Sequence, residues 1–286
     1  SIVTSFSMAK SFTSALVGIA IEEGHIHTVH DSITDYLPEL AERDPAFTNI
    51  TIHDLLLMSS GIHYAEFPFV NGDDAKTYYY PDLRNLALNQ TEIDSVPGEA
   101  FLYNNYHPLL LGMILERATG QSVTDYLAQK IWQPMGAEYA GSWSLDERGF
   151  EKMESGINGR ALDFVKFGRL FLQEGNIGGE QIVPAEWVRE STSADTTLSG
   201  AYYPDSFHDK APNRFYKYMW WGLERDGQAN DFVALGNHGQ FVYVSPHKNL
   251  IIVRHGEKYG IDSFDWLNLF YAFATNIGTD EGDNHE

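Results

Sequence analysis

The fold is decided by a stretch near the start of the chain, Ser7-Met8-Ala9-Lys10-Ser11-Phe12-Thr13-Ser14-Ala15-Leu16-Val17-Gly18-Ile19-Ala20-Ile21. Its apolar residues recur at helical spacing and occupy most faces, which predicts a largely buried helix that ends near Gly24. The polar residues at i, i+3, i+4 and i+7 form one stripe: Ser7, Lys10, Ser11 and Ser14. A lysine in such a helix rarely lacks a partner or a function.

Ser7 and Lys10 stand one helical turn apart, which suits a serine nucleophile beside its base. A serine hydroxyl needs a neighbour to take its proton, and burial lowers the pKa of a lysine so that its amine can do so. Free N–H groups at the helix start also favour an oxyanion. The alternative is a serine-capped helix start with a lysine that reaches solvent. A second Ser-x-x-Lys, Ser245-Pro246-His247-Lys248, lies between two apolar runs and predicts a hairpin turn.

The composition excludes several classes of function. Asp and Glu number 40 against 19 Lys and Arg, and the net charge of −21 opposes binding to nucleic acid or an anionic membrane surface. The chain has no cysteine, so disulfides, thiol catalysis and cysteine metal sites are excluded. Because no apolar run reaches about 18 residues, no membrane span is expected.

Residues 24–31 contain three histidines and an aspartate, and they raise the alternative of a metal site. In an extended segment His25 and His27 share a face, whereas His30 does not, and no other ligand cluster accompanies them. A solvated connector fits better, and we expect neither a metal nor a cofactor.

The hydrophobic pattern changes along the chain from helical to strand-like spacing. After the first helix, further helices are predicted at residues 52–58, 108–118, 122–132, 160–172 and 184–190, with irregular segments at 63–100 and 191–217. From Tyr218 the period becomes two, which predicts about four antiparallel strands at residues 218–224, 231–235, 240–245 and 250–255. A closing helix at residues 261–276 should lie across that sheet.

This order predicts an α+β protein with one domain over residues 1–278. Within it we expect a helical lobe at about 30–200 and the sheet with its closing helix at about 218–277. Residues 279–286 form an acidic tail.

Three short motifs stand in a meaningful order: Ser7-Met8-Ala9-Lys10, Tyr103-Asn104-Asn105 and Asn237-His238-Gly239-Gln240. Together with the long first helix and the closing strands and helix, they resemble the serine β-lactamase and penicillin-binding-protein family. The closer likeness is to its class C-type branch, which includes carboxylesterases and 6-aminohexanoate-dimer hydrolases. Residues 51–61 and 156–163 support the resemblance, which covers essentially the whole chain and implies the β-lactamase/transpeptidase-like fold.

The resemblance implies a catalytic role for each of the first two motifs. Ser7 would be the acylated nucleophile and Lys10 the partner that activates it. Tyr103 would shuttle the proton, with its phenol within hydrogen-bonding reach of both. Asn105 would orient the substrate amide or ester and brace Lys10.

The third motif would complete the site. The backbone N–H groups of Ser7 and Gln240 would form the oxyanion hole, and Gly239 would let the strand approach the substrate closely. Asn237 and His238 would also face the substrate. Family lactamases and peptidases have a lysine where this chain has Asn237, and a neutral group gives up roughly 1.5–3 kcal/mol of a charge-assisted contact to a carboxylate. We therefore expect an esterase or amidase rather than an efficient β-lactamase.

The start of the chain is a second departure from the family. Family members carry further N-terminal residues that supply strands of the central sheet, so we expect those strands to be missing or to lie in a segment not included here. The resemblance also implies a bacterial periplasmic or secreted protein rather than a cytoplasmic one.

Several alternatives remain open at this point. A catalytically weak penicillin-binding-like sensor, a true β-lactamase and a D-amino-acid peptidase would share these motifs. An α/β-hydrolase is disfavoured because the chain has no Gly-x-Ser-x-Gly, and a zinc hydrolase because it has no His-Glu-x-x-His. The expected partner is a small-molecule ester or amide.

Overall fold

The computed structural model describes residues 1–195 and 201–278, so the predicted acidic tail lies outside the described residues. Ten α-helices are found in these ranges: α1 (Ala9–Glu22), α2 (Pro38–Arg43), α3 (Ile52–Leu56), α4 (Asp73–Tyr79), α5 (Leu83–Asn89), α6 (Tyr106–Thr119), α7 (Val123–Leu127), α8 (Ala161–Leu172), α9 (Ala185–Ser191) and α10 (Ser263–Asn276). Every helix predicted above is confirmed to within a few residues. A short π-helical turn, Ala128–Trp132, continues α7 to the predicted end.

The main sheet is antiparallel and has five strands in the order β10-β9-β8-β7-β6. Its strands are β6 (Arg214–Lys217), β7 (Trp220–Leu223), β8 (Asp231–Gly236), β9 (Gln240–Ser245) and β10 (Leu250–Arg254). A second sheet with the order β1-β3-β2 joins β1 (Val3–Thr4) to β2 (Ser142–Trp143) and β3 (Ile157–Gly159), and β4 (Asn176–Ile177) pairs with β5 (Glu180–Gln181). The second Ser-x-x-Lys lies in the β9–β10 connection, as predicted.

The prediction of four strands that begin at Tyr218 is wrong, because Arg214–Lys217 forms a fifth strand in the segment predicted to be a loop. All four of its residues are buried, so the alternation that marks a half-exposed strand is absent. Tyr218 and Met219 form the two-residue turn to β7, with φ of 44° and 63°. Such turns usually carry Asn-Gly, and this pair gives no signal.

The prediction that residues 63–100 are irregular is also wrong in part, because α4 and α5 lie there. Each helix has seven residues, too few to establish a clear hydrophobic period. The Asp82 side chain caps α5 by accepting a hydrogen bond from the Asn85 N–H.

Helix α1 lies at the centre of the molecule, and its residues from Ala9 to Ala20 are all buried. The Phe12 ring stacks on Phe167 of α8 with centroids 3.6 Å apart. Helix α8 approaches the sheet at Gly168, where an added Cβ would lie 2.9 Å from side-chain atoms of Val242 and Ile251. The sheet therefore has α1 and α8 on one face.

Helix α10 covers the opposite face of the sheet, as predicted. Its Phe270 packs against Phe241 and Tyr243 of β9, with ring centroids 5.5 and 5.6 Å away. Asp231, wholly buried at the start of β8, accepts hydrogen bonds from Arg225, Tyr243 and Ser245. Within residues 1–195 and 201–278, no helix has both the length and the apolar character needed to cross a membrane.

The start of α1 is held against the end of the β8–β9 hairpin. Gly236 lies so close to the Ser5 carbonyl that an added Cβ would be 2.2 Å from its oxygen. The Ser5 N–H donates to the Ile157 carbonyl at 2.7 Å, which ties the same point to β3. The fold thus brings residues near 5, 157 and 236 to one place.

Candidate active site

Ser7 and Lys10 are in direct contact at the start of α1. Ser7 lies in the 3-10 turn Phe6–Met8 that leads into the helix and is partly exposed, whereas Lys10 is 1% exposed. The Lys10 ammonium nitrogen Nζ lies 2.8 Å from Ser7 Oγ and donates to the Glu154 carbonyl oxygen at 3.1 Å. The serine therefore faces outward while its neighbouring amine lies inside the protein.

The environment of Lys10 favours its neutral form. Burial lowers the pKa of Lys10 to about 7, although the negative charges of Glu154 and Asp74 act in the opposite direction. An amine with a pKa in this range is able to accept a proton from Ser7 near neutral pH and return it later.

Tyr103 also reaches Ser7. The Ser7 side chain is close enough to its hydroxyl to act on its pKa, and the ring centroid lies 5.0 Å from Lys10 Nζ. The ring is held by Trp221, stacked at 5.7 Å between centroids. Burial raises the pKa of Tyr103, so the phenol remains protonated at neutral pH. The structure thus brings together the three side chains predicted to be catalytic.

Asn105 lies at the start of α6 but makes its hydrogen bonds to α4. Its Nδ2 donates to Asp74 Oδ1 at 2.9 Å and to Thr77 Oγ1 at 3.2 Å. Its buried Oδ1 has no hydrogen-bond partner among the described residues. The hydrogen bonds of Lys10 go to Ser7 and Glu154, so no hydrogen bond to Asn105 supports the expected brace on Lys10. A role of Asn105 in orienting the substrate remains a prediction, and Oδ1 is the atom available for it.

Residues 237–239 form the three-residue loop of the β8–β9 hairpin, which Gly236 and Gln240 close as a pair. Gly239 has φ of +79°, a conformation that favours glycine, and an added Cβ there would lie 2.0 Å from Nη1 at the flexible end of the Arg254 side chain. His238 is exposed, has φ of 60°, and its ring lies 5.0 Å from that of Phe6. The turn therefore packs beside the residue that precedes Ser7.

Gln240 and Asn237 have their side chains engaged with the protein. The wholly buried Gln240 amide exchanges hydrogen bonds with the main chain of Gly256. Asn237 Oδ1 accepts a hydrogen bond from the Tyr259 hydroxyl at 3.0 Å, and its Nδ2 lies 3.5 Å from the Tyr78 hydroxyl on α4. Asn237 thus connects the sheet to α4 beside the site.

The sequence interpretation missed three residues of the site, Glu154, Asp74 and Tyr78. Glu154 lies wholly buried between β2 and β3, and its charge and that of Asp74 act on Lys10. Asp74 Oδ1 accepts hydrogen bonds from Tyr64 and Asn105. Nothing in the sequence around Glu154, which stands between Met153 and Ser155, marks it as buried. In the part of the chain that the structure describes, no group of three His, Cys, Asp or Glu side chains is arranged to hold a metal ion.

Comparison with known proteins identifies the family. A model of the beta-lactamase family matches residues 1–260. A 6-aminohexanoate-dimer hydrolase from Paenarthrobacter ureafaciens is 27% identical over 284 residues, which cover 92% of this chain and 68% of that enzyme. The family resemblance predicted from the three motifs is therefore confirmed.

Solved structures show the same fold. A protein of Bacillus anthracis, provisionally assigned as a 6-aminohexanoate-dimer hydrolase, aligns with a TM-score of 0.81 at 23% identity over 95% of this chain and 72% of its own. EstCE1, a hydrolase with promiscuous acyltransferase activity, aligns with a TM-score of 0.75 at 16% identity over 96% of this chain and 84% of its own. The chain belongs to the beta-lactamase family and is an enzyme of the serine hydrolase type.

Proposed function

We propose that this protein hydrolyses ester or amide bonds of small molecules through an acyl-enzyme on Ser7. The observation that carries the proposal is the contact of Ser7 Oγ with a buried lysine amine at 2.8 Å, with the Tyr103 hydroxyl close to the Ser7 side chain. A buried amine of lowered pKa next to a partly exposed serine suits activation of a nucleophile.

The arrangement supports a two-step reaction. Ser7 Oγ attacks the substrate carbonyl carbon while its proton passes to neutral Lys10, with Tyr103 as the relay. The backbone N–H groups of Ser7 and Gln240 are placed in this proposal around the oxyanion. The leaving group departs with that proton and leaves the acyl group on Ser7. A water molecule then attacks the acyl carbonyl carbon, its proton passes through the same groups to Ser7 Oγ, and the bond to Ser7 breaks to release the acid. Lys10 and Tyr103 end each cycle as they began.

The proposed substrates are short esters and linear amides rather than penicillins. Asn237 supplies no cation for a substrate carboxylate, and its amide is engaged with the hydroxyls of Tyr259 and Tyr78. The names of two relatives agree with this proposal, since one is a 6-aminohexanoate-dimer hydrolase and another a hydrolase with acyltransferase activity.

The test is a hydrolysis panel with a 4-nitrophenyl ester of a short acid, a linear anilide and a penicillin. Ser7→Ala should abolish turnover of every substrate, and it should remove labelling by a fluorophosphonate. Ser14→Ala is the matched control, because Ser14 lies on the same polar stripe and its buried hydroxyl has no partner among the described residues. A Ser7→Ala protein that hydrolyses the best ester at the parent rate would refute the assignment.

The same panel tests the substrate preference separately. Asn237→Lys should raise kcat/KM for the penicillin relative to the ester, because the new cation meets the carboxylate. A parent that prefers penicillin would contradict the argument from Asn237 and leave the nucleophile unaffected. A parent that is acylated by penicillin but releases it too slowly for turnover would identify a sensor.

A further inference from the structure

Glu154 contacts the candidate base through its main chain, and its own side chain is a buried acid. Its carbonyl oxygen accepts the hydrogen bond from Lys10 Nζ at 3.1 Å, and the residue has no exposed surface. One carboxyl oxygen, Oε1, accepts a hydrogen bond from Ser155 Oγ at 2.8 Å. The other, Oε2, is buried and has no hydrogen-bond partner among the described residues. The Glu154 carboxyl thus has fewer hydrogen bonds than a buried acid with a purely structural role usually has.

A buried carboxylate with so little hydrogen bonding is costly unless a nearby cation compensates it. Burial raises the pKa of Glu154 to about 7, and the charges of Lys10 and Lys152 act in the opposite direction. Lys152 is already engaged, because its Nζ donates to the Tyr78 carbonyl at 2.9 Å. Of the two cations, Lys10 of α1 has the larger effect on the acid.

Other titratable groups also surround Lys10 and Glu154, and none of them replaces the effect of Glu154 on the pKa of Lys10. The charge of Asp74 of α4 also raises the pKa of Lys10, but by less than that of Glu154. Tyr103 and Tyr78 have raised pKa values and remain neutral near pH 7, and burial lowers the pKa of His107 of α6 to about 3, so it is neutral as well. Among the charges that act on the pKa of Lys10, that of Glu154 is therefore the largest.

We propose that Glu154 is a positioning residue whose buried carboxyl charge sets the pH range over which Lys10 exchanges a proton with Ser7. The inference rests on the proposed function. Burial alone would make Lys10 a weak base for the Ser7 proton, and the negative charge of Glu154 restores part of its affinity for that proton. A group that must both accept and return a proton works best when the two are balanced. The main-chain carbonyl of Glu154 holds the Lys10 amine in place, and the Glu154 carboxyl sets the pH at which that amine becomes charged.

The experiment measures the rate of Ser7 labelling by a fluorophosphonate between pH 5 and 10, which requires no knowledge of the substrate. In Glu154→Gln the acid limb of the profile should move to lower pH by at least about one unit, because a neighbouring opposite charge shifts a pKa by roughly 1–3 units. Glu154→Asp should restore the limb toward that of the parent.

Glu151→Gln is the matched control. Glu151 is a buried acid of the same segment, but its carboxylate accepts hydrogen bonds from the Thr124 N–H and hydroxyl at 2.9 and 2.8 Å. Its replacement should leave the acid limb in place. A merely structural role of Glu154 would lower the labelling rate at every pH without moving the limb.

An acid limb that is unchanged in Glu154→Gln would overturn the inference. If that variant does not fold, Ser155→Ala decides, because loss of the donor to Oε1 favours the neutral acid and should also move the limb to lower pH. An unchanged limb in Ser155→Ala would then overturn the inference. Failure of the proposed function looks different, since the parent itself would then show no labelling at Ser7.

Discussion

Replacing Tyr103 by phenylalanine should separate the catalytic role of its hydroxyl from the packing of its ring. The ring stacks on Trp221 at 5.7 Å and meets Tyr216 edge-on at 6.0 Å, and neither contact uses the hydroxyl. The change therefore removes the hydroxyl next to Ser7 and leaves the surrounding aromatic cluster in place.

The size of the loss distinguishes a proton relay from a simple hydrogen bond. A relay contributes roughly 10²–10⁴ in rate, or about 3–5 kcal/mol in activation free energy. A hydrogen bond that only positions Ser7 is worth about 0.5–1.5 kcal/mol, which is at most roughly tenfold. Because Tyr103 contacts Ser7 and lies close to Lys10, we expect the larger effect on kcat/KM.

The assay is hydrolysis of a 4-nitrophenyl ester by the parent, Tyr103→Phe and Tyr216→Phe. Tyr216 is the matched control, because its buried hydroxyl has no partner among the described residues. Its removal should leave kcat/KM at the parent value and keep or raise the free energy of unfolding. A loss of less than about tenfold in a folded Tyr103→Phe protein would refute the relay.

Three further outcomes are expected. The parent kcat/KM for an ester should rise with pH through about 7, where Lys10 loses its proton, and a flat profile between pH 5 and 8 would contradict this. Asp231→Asn leaves the charge of Arg225, 6% exposed, without its buried partner, so urea unfolding should show a loss of about 3–5 kcal/mol. Burial lowers the pKa of His107 to about 3, whereas in the unfolded chain this histidine binds its proton below about pH 6.5. As the pH falls from about 6.5 to about 3, the free energy of unfolding should therefore decrease by up to about 1.4 kcal/mol per pH unit, and less steeply in His107→Gln.

The sequence predicted well those features that depend on neighbours in the chain. Ser7 and Lys10 lie on one continuous helical stretch, the 3-10 turn and α1, so their spacing alone predicted that they lie one turn apart. Strand β9, Gln240–Ser245, was predicted at its observed bounds because its apolar run lies between two turns. Tyr103 lies far along the chain, and it entered through the resemblance rather than through any local pattern.

The features that could not be predicted depend on tertiary contacts. The charged ends of β6, Arg214 and Lys217, are buried, the first against the rings of Phe207, Trp221 and Phe264 and the second in an ion pair with Glu190. Their charge gave the strand the pattern of a loop. Glu154 reaches Lys10 because Met153 packs so close to Gly112 of α6 that an added Cβ would lie 2.5 Å away. No local pattern marks such a contact.

The burial of α1 has a consequence for how such an enzyme can diverge. The helix that carries Lys10 is buried along nearly its whole length, so substitutions there alter folding and chemistry together. Tyr78 and Tyr259, in contrast, belong to two separate segments that meet at Asn237. If the proposed function holds, substitutions in those two segments would change the substrate preference and leave the reacting groups unchanged.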